Sequence, residues 1–89
     1  EQTHASLVPN LIEEAYETVD AITRDDWDHL REELGDVLLQ VVFHSELEAE
    51  AGRWDMDDVA RDICEKLVRR HPHVFAQSEA GTPDEVLSQ

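Results

Sequence analysis

Apolar side chains recur along this chain at the three-to-four-residue spacing of amphipathic helices, and no stretch alternates like a half-buried strand. Leu7, Val8, Leu11, Ile12, Ala15, Val19 and Ile22 define a first helix to about Thr23, with Pro9 expected in its first turn, where a missing N–H costs nothing. Arg24-Asp25-Asp26 reads as a turn in which Asp25 or Asp26 caps a second helix, with Asp28 in its favourable first turn. So short a connection makes the two helices antiparallel neighbours. In the second helix Trp27, Leu30, Leu34, Val37, Leu38, Val41 and Val42 form one apolar face, and Leu39, Phe43 and Leu47 form another. A helix apolar on two faces is expected to be central and to touch several neighbours. Gly35 costs about 1 kcal/mol relative to alanine inside a helix, which suggests a close backbone approach there.

The second helix should stop near Ala51-Gly52, where glycine suits a C-terminal cap. Asp55 then caps a third helix whose stripe is Met56, Val59, Ala60, Ile63, Cys64, Leu67 and Val68, ending at His71-Pro72. A loop follows to Gly81, and Thr82-Pro83-Asp84-Glu85 reads as a capping box that starts a fourth helix. The expected fold is all-α: an antiparallel helical hairpin, a third helix and the start of a fourth. Dimerisation would complete a four-helix-bundle core and cover the second apolar face. The sequence opens on Glu1 rather than Met, so residues 1–89 read as a single domain and a fragment of a longer protein.

On this helical frame two acid pairs stand out, Glu14 with Glu17 and Glu33 with Asp36, each spaced so that both members share a helical face. Glu14 and Asp36 are equidistant from Asp25, and so are Glu17 and Glu33. In an antiparallel hairpin the pairs therefore face each other rung for rung. Four carboxylates converging on one small volume repel unless a cation sits among them, and hard oxygen ligands suit magnesium, manganese or calcium. Asp36 also aligns with Leu39 and Phe43, where a carboxylate needs a partner or a proton. On the third helix Lys66 and Arg70, four residues apart, share one edge of the apolar stripe.

Charge narrows the choice of partner. Seven basic against 22 acidic residues give a formal charge of −15. That argues against a sequence-independent grip on nucleic acid and against an anionic membrane surface. A bound metal would offset part of the self-repulsion. One cysteine, Cys64, excludes an internal disulfide and fits a reducing compartment. With no apolar run of spanning length and no signal-peptide pattern, the cytoplasm is the expected location.

Glu14-Ala-Tyr-Glu17 with Glu33-Leu-Gly-Asp36, followed by Lys66-Leu-Val-Arg-Arg70-His-Pro-His-Val-Phe75, resembles a MazG-type nucleoside triphosphate pyrophosphohydrolase domain over nearly the whole chain. The resemblance implies an all-α fold that forms a homodimer, with Mg2+ held by Glu14, Glu17, Glu33 and Asp36, Mn2+ being a possible substitute. It also implies that Lys66 and Arg70 are directed at substrate phosphates. The implied reaction converts an NTP or dNTP and water into the monophosphate and pyrophosphate, through attack of a metal-activated water on the α-phosphorus. Glu17 would orient or deprotonate that water. The competing expectation is a non-catalytic dimerisation or regulatory domain that binds metal or nucleotide without efficient turnover.

The remaining conspicuous residues have plainer readings. Glu13, Glu32 and Arg69 are expected at the surface, His71 and His73 as anchors of a loop, Trp27 and Trp54 as packing residues at helix ends, and Cys64 as inert core. Asp55-Met56-Asp57-Asp58 lacks the glycine and terminal glutamate of an EF-hand, and no zinc-protease, phosphate-loop or nucleophile-elbow motif occurs.

Overall fold

Residues 1–73 are described by a computed structural model, so the expected loop to Gly81 and the helix from Thr82 lie outside the described residues. Within them the chain is all-α, with α1 at His4–Thr23, α2 at Trp27–Glu50 and α3 at Met56–Arg70, and no strand. No described helix is long and apolar enough to cross a membrane. Glu1–Arg53, carrying α1 and α2, forms one compact unit, and a second begins at Trp54.

The helix α1 begins three residues before the apolar spacing indicates, because Thr3 and Ser6 close a capping box. The Ser6 N–H donates to Thr3 Oγ1 at 3.0 Å, and the Thr3 N–H donates to Ser6 Oγ at 2.9 Å. Serine in place of the usual Glu or Gln hides this signal in the sequence. The earlier start corrects the placing of Pro9, which lies inside the helix beyond its first turn. There its ring removes one intrahelical hydrogen bond.

Two terminators fix the hairpin. After α1 the Asp25 N–H donates to the Ile22 carbonyl at 3.1 Å and the Asp26 N–H to the Ala21 carbonyl at 3.0 Å. This is a Schellman ending, in which Asp25 takes the left-handed conformation at φ 56°. Asp26 then caps α2, its Oδ1 accepting from the His29 N–H at 3.1 Å. The same ending recurs after α2, with Gly52 at φ 74° donating to Ala49 and Arg53 donating to Glu48. The glycine cap is where the sequence places it.

What lies between α1 and α2 differs from the expected apolar stripes. Leu7 and Ala21 are buried on α1, and the buried residues of α2 are Glu33, Gln40, Ser45 and Glu48. Leu34, Leu38 and Val42 from the expected first face, and Leu39 from the second, remain exposed. The fully buried positions of α2 are therefore polar, while Leu30, Val37, Val41, Phe43 and Leu47 of its apolar rows are half-buried. Gly35 does not mark a close approach either, since a Cβ there would meet nothing within 4 Å.

The open end of the hairpin is tied by a polar chain. His4 Nε2 lies 2.8 Å from Glu48 Oε2, and its Nδ1 lies 2.7 Å from His44 Nδ1, the two rings stacking at 4.9 Å. Arg53 adds two hydrogen bonds to Glu48. Ionised Glu48 only accepts, so His4 Nε2 carries a proton.

In the second unit α3 opens on Asp55, the expected N-cap, which closes a capping box with Asp58: the Asp58 N–H donates to Asp55 Oδ1 at 3.1 Å and the Asp55 N–H to Asp58 Oδ2 at 3.0 Å. Cys64 is buried, as expected of inert core, whereas Trp27 and Trp54 are more exposed than packing residues would be.

Candidate metal centre

The antiparallel hairpin brings the four sequence-predicted acids together. One carboxylate oxygen each from Glu14, Glu33 and Asp36 lie within 4.8 Å of one another. Glu17 and Glu33 meet the same limit with a ring nitrogen of His29. The acids, with His29, thus fall in two overlapping triads that share Glu33, the most enclosed of the four acids, at 5% exposure. Glu17 and Asp36 are exposed and Glu14 is half-buried. Glu13 and Glu32 are exposed, as expected for surface acids.

Helix geometry explains the convergence. The three-residue spacing puts each pair on one face, and the turn centred on Asp25 sets Glu14 against Asp36 and Glu17 against Glu33. Electrostatics follows the same cross-pairing. Burial, then the facing Asp36 and the neighbouring Glu17 and Glu13, push the Glu14 carboxyl above its ordinary value. Burial, then Glu17, Asp36 and Glu14, do the same to Glu33.

Two oxygens of this group, Glu14 Oε2 and Glu33 Oε2, are shut off from solvent and have no hydrogen-bond donor. Buried acceptors without donors are uncommon and costly. A divalent cation satisfies them directly, and an all-oxygen donor set is the set that Mg2+ or Mn2+ takes. The residues therefore fit a hard divalent ion.

His29 was missed by sequence reasoning. Its signal was its place one turn before Glu33 on the same face, a histidine among acids. In the structure His29 Nε2 lies 3.4 Å from Glu33 Oε1.

Lys66 and Arg70 lie on α3, four residues apart and both exposed, and neither makes an ion pair among the described residues. They belong to the second unit. Cations near a helix C-terminus complement the partial negative charge there. His71, expected to anchor a loop, supplies the C-cap of α3 with its backbone N–H, 3.0 Å from the Leu67 carbonyl.

An all-α hairpin with facing acid pairs is the class that fold and site define. Residues 2–75 match the MazG nucleotide pyrophosphohydrolase domain, and the chain belongs to that family. It is 53% identical over its full length to a nucleoside triphosphate pyrophosphohydrolase of Escherichia coli (strain K12), and covers 34% of that protein. It is 57% identical over 86% of its length to a nucleoside triphosphate pyrophosphohydrolase/pyrophosphatase MazG of Thermotoga maritima, covering 30% of it. A third relative, the uncharacterized protein YabN of Bacillus subtilis, is 49% identical over 98% of the chain. The chain thus spans about a third of the length of the first two relatives.

Proposed function

We propose that this chain acts as a magnesium-dependent nucleoside triphosphate pyrophosphohydrolase, converting an NTP or dNTP and water into the monophosphate and pyrophosphate. The observation that carries the reading is Glu33. It is a buried carboxylate shared by two candidate ligand groups, Glu14 with Asp36 and Glu17 with His29, with one oxygen lacking any donor, in a chain of the matching family.

Glu14, Glu17, Glu33 and Asp36 hold the ion, and Mn2+ can replace Mg2+ in such a set. When bound, the ion neutralises triphosphate charge and lowers the pKa of water. Glu17, exposed at the edge of the cluster, orients the attacking water and takes its proton. The water oxygen bonds to the α-phosphorus as the bond to the α,β-bridging oxygen breaks, and pyrophosphate leaves with that oxygen. Lys66 and Arg70 stabilise the charge on the departing pyrophosphate, the guanidinium by a two-point contact and the ammonium as a point charge.

The reading includes a homodimer. The outward apolar rows of α2, with Leu38 at 55% exposure, are covered when a second hairpin completes a four-helix bundle. A panel of ribo- and deoxyribonucleoside triphosphates with Mg2+, scored for pyrophosphate against inorganic phosphate, tests the reaction. Pyrophosphate release supports it. Binding of metal or nucleotide without turnover would favour the regulatory alternative.

A further inference from the structure

We infer that the contact between His4 and His44 is an acid-sensitive latch. It ties the first turn of α1 to the last turns of α2 while two facing ring nitrogens share one hydrogen, and it opens when both rings are charged.

The contact has room for a single hydrogen. His4 Nδ1 and His44 Nδ1 lie 2.7 Å apart, with the rings parallel to within 4°. At that distance one nitrogen donates and the other accepts, whichever ring holds the hydrogen. An imidazolium carries hydrogen on both of its nitrogens. Two of them would set N–H against N–H and charge against charge, so the closed latch carries at most one positive charge.

The surroundings leave neither ring a second arrangement. His4 Nε2 is committed to Glu48 Oε2 at 2.8 Å, and Arg53 grips both oxygens of that buried carboxylate. His44 Nε2 is shut off from solvent and has no hydrogen-bond partner, so a second hydrogen placed there meets no acceptor. The other charged groups at this end of the hairpin are Glu1, ahead of α1, and Glu46 and Glu50 on α2, which line a cavity with Phe43 and Leu47. Their carboxylates favour one positive charge on the pair and leave the count at the facing nitrogens unchanged. The latch stands apart from the acid pairs along both helices, His4 ten residues before Glu14 and His44 eight after Asp36.

The direction of the response follows from the proton count. Free imidazoles charge below about pH 6.5. There the open form binds two protons and the closed form one, so falling pH favours opening, by about tenfold per pH unit for a difference of one full proton. Glu48, held at about 2 by Arg53 and His4, is still ionised across that window.

Two measurements on the 89-residue chain test this. With the ring nitrogens labelled, a nitrogen–nitrogen scalar coupling across the His4 and His44 contact should be present near pH 8 and absent near pH 5. The Leu7 N–H, which donates to the Thr3 carbonyl at 3.2 Å in the latched turn, should lose protection from hydrogen exchange by up to about tenfold per pH unit below about 6.5, after correction for the intrinsic rate. In His44→Phe that protection should be low near pH 8 and level with pH, while protected amides in the middle of α2 establish that the variant is folded. A coupling that persists near pH 5, or level Leu7 protection in the unmodified chain, overturns the latch. An equal slope in His44→Phe overturns it as well, by assigning the acid response to another group.

Discussion

Arg53 closes on Glu48 through two parallel hydrogen bonds, Nε to Oε1 at 2.7 Å and Nη2 to Oε2 at 2.6 Å. Glu48 is buried at the end of α2. Arg53 first, and His4 next, hold its carboxyl at about 2, below the ordinary 4.5. A depressed folded-state value contributes stability above the ordinary value and loses it as pH falls toward the folded one. The melting temperature should therefore fall between pH 4.5 and about 2. Glu48→Gln should start several degrees lower at neutral pH and show a shallower acid slope. Parallel pH curves for the two proteins would remove Glu48 from the account.

The metal-site acids behave oppositely. Glu14 and Glu33 have raised carboxyl values, so their contribution is present below the ordinary 4.5 and is lost as pH rises through the folded-state values. Near neutral pH, Mg2+ at a hundredfold excess over Kd should stabilise the fold by about 2.7 kcal/mol and so raise the melting temperature. Asp36→Asn should abolish most of that rise. A melting temperature indifferent to millimolar magnesium would count against a cation at these acids.

Asp25 carries the left-handed turn that sets the acid register, at φ 56°. Glycine adopts this conformation freely, whereas alanine stays strained there by about 1–2 kcal/mol. Asp25→Gly should therefore exceed Asp25→Ala in stability by about 1 kcal/mol in urea unfolding. Equal midpoints would mean that the turn relaxes.

Leu39 is exposed on α2, on the face expected to meet a second copy. The unmodified chain should scatter light as a dimer at micromolar concentration, and Leu39→Glu should shift it to one chain, since it would bury an unpaired charge. A one-chain mass for the unmodified protein defeats the idea.

Lys66 and Arg70 should act on phosphates rather than on the ion. Each alanine variant should lower kcat/KM by about tenfold or more, roughly 1.4 kcal/mol, with metal affinity in the absence of nucleotide unchanged or higher. Intact turnover would assign them a structural role.

Much of this arrangement was legible in the sequence because it is local. Asp55, Gly52 and the Asp25 turn announce themselves through capping chemistry, and the acid register follows from the two helices and the short turn between them. Other features depend on residues far apart or on unusual partners. The Thr3 and Ser6 box lacks its customary acid, so α1 begins earlier than its apolar spacing indicates. His4 meets His44 and Glu48 across forty or more positions, a relation that periodicity does not carry. The apolar stripes of α2 are real in sequence, yet Leu34, Leu38, Leu39 and Val42 are exposed and the fully buried residues of the helix are polar. Hydrophobic pattern marks a face without saying what covers it.

The most direct test of the central claim is hydrolysis of a nucleoside triphosphate with Mg2+ in oxygen-18 water, followed by phosphorus NMR. Pyrophosphate and nucleoside monophosphate are expected, with the heavy oxygen on the monophosphate, and loss of both products in Glu33→Gln. Label in pyrophosphate, release of inorganic phosphate with a diphosphate, or undiminished turnover in Glu33→Gln would contradict it.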